Sequence, residues 1–318
     1  MMRVFFITLA LIVCGIAVVV WIGAQPERRY ETSACQYRMI HEYKPEHEIG
    51  LVTVGGSRMR VSTNAQHFDE ILAEIRPGSL PVHNLAHSYF SIGKEYVLIE
   101  EFLENHNPKA IVVMIRRRTG DYGTVHRDFV DIARLKDIPL VVHALWPEDK
   151  LNAMRAARDV VLKHLVPLRR VQAPHPEMTI RNCDRLDYRL DALALDNGAK
   201  NFETLDGVTV DWELSDPRQE GLRRWIAAFK DLSDRTGTDI IFLSITATTE
   251  PLPENSLELE FEAETGMPLI VFDEELHRKL VEDGKRDESH MNQAGREIFL
   301  PWLVSRIEEK CSRSDGCL

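Results

Sequence analysis

From Gly50 onward the chain alternates between short, predominantly apolar runs and longer stretches in which apolar residues recur every three or four positions. Leu51–Val54, Ala110–Ile115, Pro139–Leu145, Asp239–Ile245 and Pro268–Phe272 are runs of the first kind, and Pro81–Ala86 reads as a short second strand that is more polar. Runs that lack polar alternation fit strands covered on both faces, as in a parallel sheet. The helical spacing appears over Phe68–Ile75, Ile92–Glu104, His126–Leu135, Leu151–Leu165, Ser215–Arg235 and Ala294–Lys310. Punctuation agrees at several ends. Asn107-Pro108 stops one helix, Ser215-Asp216-Pro217 opens another, and Gly237 closes it. Strands alternating with helices predict an α/β fold, a parallel central sheet with helices on both faces. Residues 167–215 carry many charges and no clear period, and read as an insertion or cap. Residues 246–256 read as a proline-containing loop.

The amino-terminal pattern is different. Val4–Ile22 is a run of 19 residues without a charge, about 28 Å long as a helix and so long enough to cross a bilayer core. A signal anchor over residues 1–25 is the preferred reading. A cleaved signal peptide, cut near Ile22-Gly23-Ala24, is the competing one. Polar residues 26–48 read as a stalk, residues 49–310 as the folded domain, and 311–318 as a polar tail. The domain length is enough for one large α/β unit, with two domains as the alternative. The net charge of -11 argues against general nucleic-acid binding, which needs a basic footprint. Of five cysteines, Cys14 lies in the apolar run, whereas Cys35, Cys183, Cys311 and Cys317 lie outside it. Four such cysteines permit two disulfides, and Cys311 with Cys317 can close a small loop; free thiols throughout are the alternative. No cysteine or histidine spacing suggests zinc.

Two short signatures carry the candidate chemistry. The first strand ends in Gly55-Gly56-Ser57-Arg58, which exposes a hydroxyl at the carboxyl end of a strand, where open α/β sheets bind ligands. Much later comes Asp287-Glu288-Ser289-His290-Met291-Asn292-Gln293-Ala294-Gly295, a carboxylate and an imidazole three residues apart just before a helix. A serine becomes a useful nucleophile when a base takes its proton, and that base works best when a third group orients it. Ser57 is therefore the candidate nucleophile, His290 the base and Asp287 its orienting partner. Asn292 and Gly295 are expected to shape the turn and helix start.

These two blocks resemble those of the SGNH (GDSL-like) hydrolase superfamily, in particular a membrane-anchored bacterial branch whose first block reads G-x-S-R. The resemblance spans roughly residues 48–308. It implies a flavodoxin-like three-layer α/β/α sandwich, and it places oxyanion or substrate contacts at Ser57, Asn84, Tyr89 and Arg118. Two departures stand out. The second block, Asn84-Leu85-Ala86-His87-Ser88-Tyr89, has Tyr89 in place of the usual glycine, so the donor there is the Tyr89 backbone N–H. The third block has no asparagine, and Arg118 of Arg116-Arg117-Arg118 is the candidate to replace it as donor or to grip an anionic substrate, with a solvated loop as the alternative.

The function this implies is a serine esterase or O-acyltransferase, with acetyl as the expected group, acting on cell-envelope or exported polysaccharide outside the inner membrane. No metal or organic cofactor is required. The expected partners are an acylated carbohydrate or other ester and, for transfer, a multi-pass membrane acyl-donor protein. Hydrolysis and transfer share the same triad. The contrasting reading is a non-catalytic SGNH-like polysaccharide-binding or assembly component, motivated by the altered second and third blocks.

Overall fold

The computed structural model describes residues 36, 38–42, 48–87, 91–115, 127–145, 150–165, 219–247, 252, 256–284, 289–312 and 316–318, together with positions 6, 9, 13–15 and 18. Five strands form one all-parallel sheet: β1 (Leu51–Val54), β2 (Val82–Asn84), β3 (Ala110–Ile115), β4 (Asp239–Ser244) and β5 (Leu269–Val271). Their order is β2-β1-β3-β4-β5, with Leu51 opposite Val82 and Ala110, and Ala110 opposite Asp239. The helices are α1 (Ser57–Ser62), α2 (Ala65–Ile75), α3 (Ile92–Asn105), α4 (Arg127–Ile132), α5 (Ile138–Leu145), α6 (Lys150–Leu165), α7 (Glu220–Thr236), α8 (Leu257–Thr265), α9 (Glu274–Asp283) and α10 (Gln293–Lys310).

Strand side chains alternate between two cores, because successive residues of a strand point to opposite faces. Val52, Val54, Ile111, Val113, Ile240 and Phe242 meet α3, α4, α6, α7 and α8 on one face. Leu51, Ala110, Val112, Met114, Ile241 and Leu243 meet α1, α2, α9 and α10 on the other. The result is the three-layer α/β/α sandwich expected from the sequence. Edge strand β2 is tied down by Asp69 of α2, whose carboxylate accepts the Val82 N–H at 2.7 Å. Burial raises the pKa of that carboxyl group; the Val82 bond offsets part of the shift.

Three expectations change. Pro139–Leu145 is helix α5 rather than a strand. Its burial is one-sided, with Val141 buried and Pro139 and His143 exposed. β3 is already paired on both sides by β1 and β4, so an apolar run between them has no central slot to enter. Asp137 caps the preceding turn by accepting the Arg134 N–H at 2.6 Å, and Arg224 of α7 donates to the His143 carbonyl at 2.8 Å. The stalk also joins the domain earlier than residue 49. Ile40 is buried in the core, His41 lies 3.0 Å from Glu101, and Gln36 donates to Ala86 O at 3.0 Å. The polar tail is likewise anchored: a Cys311–Cys317 disulfide closes it, Cys317 and Leu318 are buried, and Ser312 N–H and Oγ donate to Asp239 at 3.1 and 2.6 Å.

The insertion expected over 167–215 lies outside the described residues, as does most of the run Val4–Ile22. Among the described residues no helix is long and apolar enough to cross a membrane.

Candidate functional site

The site forms where the strand order reverses. β1 has β2 on one side and β3 on the other, and the crevice outside the carboxyl ends of such strands is where open α/β sheets bind ligands. β1 delivers Gly55, Gly56 and Ser57 there. Neither glycine takes a positive φ. Gly55 is needed instead for close approach: a Cβ on it would stand 2.6 Å from Met114 Cβ and 2.8 Å from Met59 Cβ. Gly56 is the extended N-cap of α1, so Ser57 is the first helical residue and its hydroxyl is not used as a cap.

His290 is brought to Ser57 from 233 positions away. Its Nε2 lies 3.0 Å from Ser57 Oγ, within the hydrogen-bond range a nucleophile–base pair needs. Both residues are half-buried. The histidine is held from its carboxyl side. Met291 is fully buried. Asn292 is the N-cap of α10, its Oδ1 accepting the Gly295 N–H at 2.7 Å. Its backbone N–H reaches Gly284 O at 3.0 Å, and its Nδ2 donates to Asp283 O at 3.0 Å. The asparagine and glycine of the second signature thus lock the start of α10 onto the end of α9. Arg296, buried on α10, sets its Nη1 3.5 Å from Val61 O, linking the histidine's helix to the serine's.

Around this pair the described residues are polar at the right edge. Arg58, next to Ser57, sends its Nη1 to Ile245 O just beyond β4 at 3.0 Å. It therefore spans the carboxyl end of β3 and brings a cation to the rim of the crevice. Nothing local in Gly55-Gly56-Ser57-Arg58 signals this role, because the acceptor lies 187 positions away. Asn84 has its carboxamide engaged at both ends, with Nδ2 donating to Thr63 O at 2.6 Å and Oδ1 accepting the Ala86 N–H at 2.8 Å. It shapes the exit of β2, which then runs on beside β1 through Leu85 N–H to Thr53 O and His87 N–H to Gly55 O, each 2.8 Å. Asp287, Tyr89 and Arg118 lie outside the described residues.

Chemically, Nε2 can accept the Ser57 proton when the other ring nitrogen carries the hydrogen. That makes Ser57 Oγ a nucleophile at the mouth of the crevice. As for metals, the one grouping of potential ligands among the described residues is Asp239 with Cys311 and Cys317. Its sulfurs are bonded to each other, which leaves no thiolate to coordinate an ion. No known family model matches this chain, and no curated protein matches it.

Proposed function

We propose that the protein is a serine esterase or O-acyltransferase, with acetyl as the transferred group and a cell-envelope or exported polysaccharide as the substrate class. One observation carries the reading: Ser57 Oγ stands 3.0 Å from His290 Nε2 at the switch point of a parallel α/β sheet. In the proposed reaction His290 removes the Ser57 proton as Oγ attacks the acyl carbonyl. The tetrahedral intermediate collapses to an acyl-enzyme as His290 protonates the leaving alcohol. Water or a sugar hydroxyl then attacks the acyl-enzyme with His290 again as base, and the bond from the acyl carbon to Ser57 Oγ breaks as His290 returns the proton to the serine. Asp287, three residues upstream, is proposed to orient the imidazole, and the Ser57 and Tyr89 backbone N–H groups with Arg118 to hold the oxyanion. Export follows from the same reading: Val4–Ile22 serves as a membrane anchor, and the Cys311–Cys317 disulfide suits an oxidising compartment.

Labelling with a fluorophosphonate tests this directly. The full-length protein should be labelled at Ser57 and should slowly hydrolyse a small activated acetyl ester. Ser57→Ala should abolish both, and Asp287→Asn should lower the rate by about 10⁴-fold with the fold intact. Absence of labelling and turnover, together with binding to an acetylated polysaccharide, would instead favour a binding or assembly role.

A further inference from the structure

A histidine–glutamate pair is buried beside the serine turn and takes no part in the reaction just described. His87 follows β2, and Glu95 stands in the first turn of α3. His87 Nε2 lies 4.0 Å from Glu95 Oε1, with the two side chains 4% and 0% exposed. Lys94, beside Glu95, is also buried. A carboxylate withdrawn from water is costly unless a cation or donor faces it. The neighbouring positions Ile92, Val97 and Leu98 are buried and apolar, so packing alone would be met by another such residue at 95.

The location of the pair gives it a consequence for chemistry. The His87 N–H donates to Gly55 O at 2.8 Å, and Gly55 is wedged between Met59 and Met114, two residues before Ser57. At 4.0 Å the two groups attract electrostatically rather than through a hydrogen bond, and inside the low-dielectric core such polar attraction is stronger than at the surface. Through it, Glu95 sets where His87 sits, and the His87 N–H sets where the Gly55 peptide sits. We propose that His87 and Glu95 are a positioning pair that fixes the Ser57 turn relative to His290, so that the rate of acyl-enzyme formation depends on them although neither touches substrate. This inference rests on the serine-nucleophile reading above.

The test uses the full-length protein and two variants. The apolar double variant His87→Leu/Glu95→Leu removes both polar side chains, and apolar replacement of such a buried pair is often neutral for stability. Glu95→Asp keeps the carboxyl group but withdraws it by one methylene. Fluorophosphonate labelling of Ser57, ester kcat and KM, and the imidazole nitrogen signals of His290 in histidine-labelled protein are read together. The expected result for the double variant is a melting temperature near that of the parent, with labelling and kcat reduced by about 10²-fold, KM unchanged and the His290 signals shifted. Glu95→Asp should move the same readouts in the same direction by less, and it decides the matter if the double variant fails to fold. Parental labelling in the folded variant would overturn the proposal. If the parent itself is neither labelled nor active, the serine-nucleophile reading has failed, and the His290 signals alone judge the pair: shifted signals uphold the coupling, and unchanged signals overturn it.

Discussion

Gly295 lies so close to Gly284 that a Cβ added to it would stand 2.0 Å from the Gly284 carbonyl oxygen. That carbonyl also accepts the Asn292 N–H at 3.0 Å. The amino end of α10 is therefore seated on the carboxyl end of α9 with backbone against backbone, five residues after His290. Gly295→Ala cannot be relieved by a rotamer change, because the obstacle is main chain. It should cost about 3 kcal/mol and move His290 away from Ser57. Denaturant unfolding and the rate of Ser57 labelling should both report the loss.

Asn292 makes the same junction by hydrogen bonding. Asn292→Ala removes the N-cap of α10 and the bond to Asp283 O. The expected cost is about 1–2 kcal/mol, with labelling slowed but not abolished. Asn292→Asp should restore the cap bond to Gly295 N–H but lose the donor to Asp283, and so fall between the two in urea unfolding.

His83, in the middle of β2, should make stability depend on acid. Burial, aided by the nearby His106, lowers its pKa from 6.5 to about 4. The unfolded chain therefore binds a proton here that the folded chain refuses, and the contribution is complete above pH 6.5 and lost as pH falls toward 4. It amounts to at most about 3 kcal/mol. A His83→Gln variant should unfold with a shallower pH dependence between pH 6.5 and 4. An equally steep dependence in the variant would assign the effect to other groups.

The Cys311–Cys317 bridge closes a loop with a sequence separation of 6. On the chain-entropy account its removal should cost about 2 kcal/mol. Replacing both cysteines by serine also frees the tail that holds Asp239 through Ser312. Unfolding of parent and variant, each with and without reductant, should show reductant sensitivity in the parent only.

How much of this was legible in the sequence depends on whether a residue's role is local. The strands β1, β3 and β4 are predominantly apolar because both faces of the sheet are covered, and that shows in composition alone. Helices α2, α3, α6 and α7 show in their spacing, and the left-handed stop at Gly237 (φ 69°) shows in the residue itself. Composition misleads at α5, where Ile138–Leu145 has a strand's make-up, and α8 is hidden because Leu257-Glu258-Leu259-Glu260-Phe261 alternates as a strand would. In α8 only Leu257 and Phe261, four apart, are buried, and Leu259 is exposed. Glu258 finds its partners in Val271 N–H at 2.9 Å and in Lys310 at 3.3 Å, neither of which is near in sequence. α9 begins at the Asp273 cap, whose carboxylate accepts the Leu276 N–H at 2.7 Å.

For the site, the residue types and their spacing nominated Ser57 and His290, because a hydroxyl after a glycine turn and an imidazole before a helix are local patterns. Their meeting at 3.0 Å is a matter of tertiary structure. It requires β1 to lie beside the reversal of strand order, α9 to support α10 through Gly284, and Arg296 to bridge α10 to α1. Asn84, Arg58, His87 and Glu95 belong to the same class. The carboxamide of Asn84 is taken up by Thr63 and Ala86, Arg58 reaches a carbonyl 187 positions away, and Glu95 meets a histidine from another element inside the core. Local patterning follows from backbone geometry and solvent, and a sequence carries both. Which polar group finds which partner follows from how the layers close, and that is set only when the whole sheet and its two helical layers are in place.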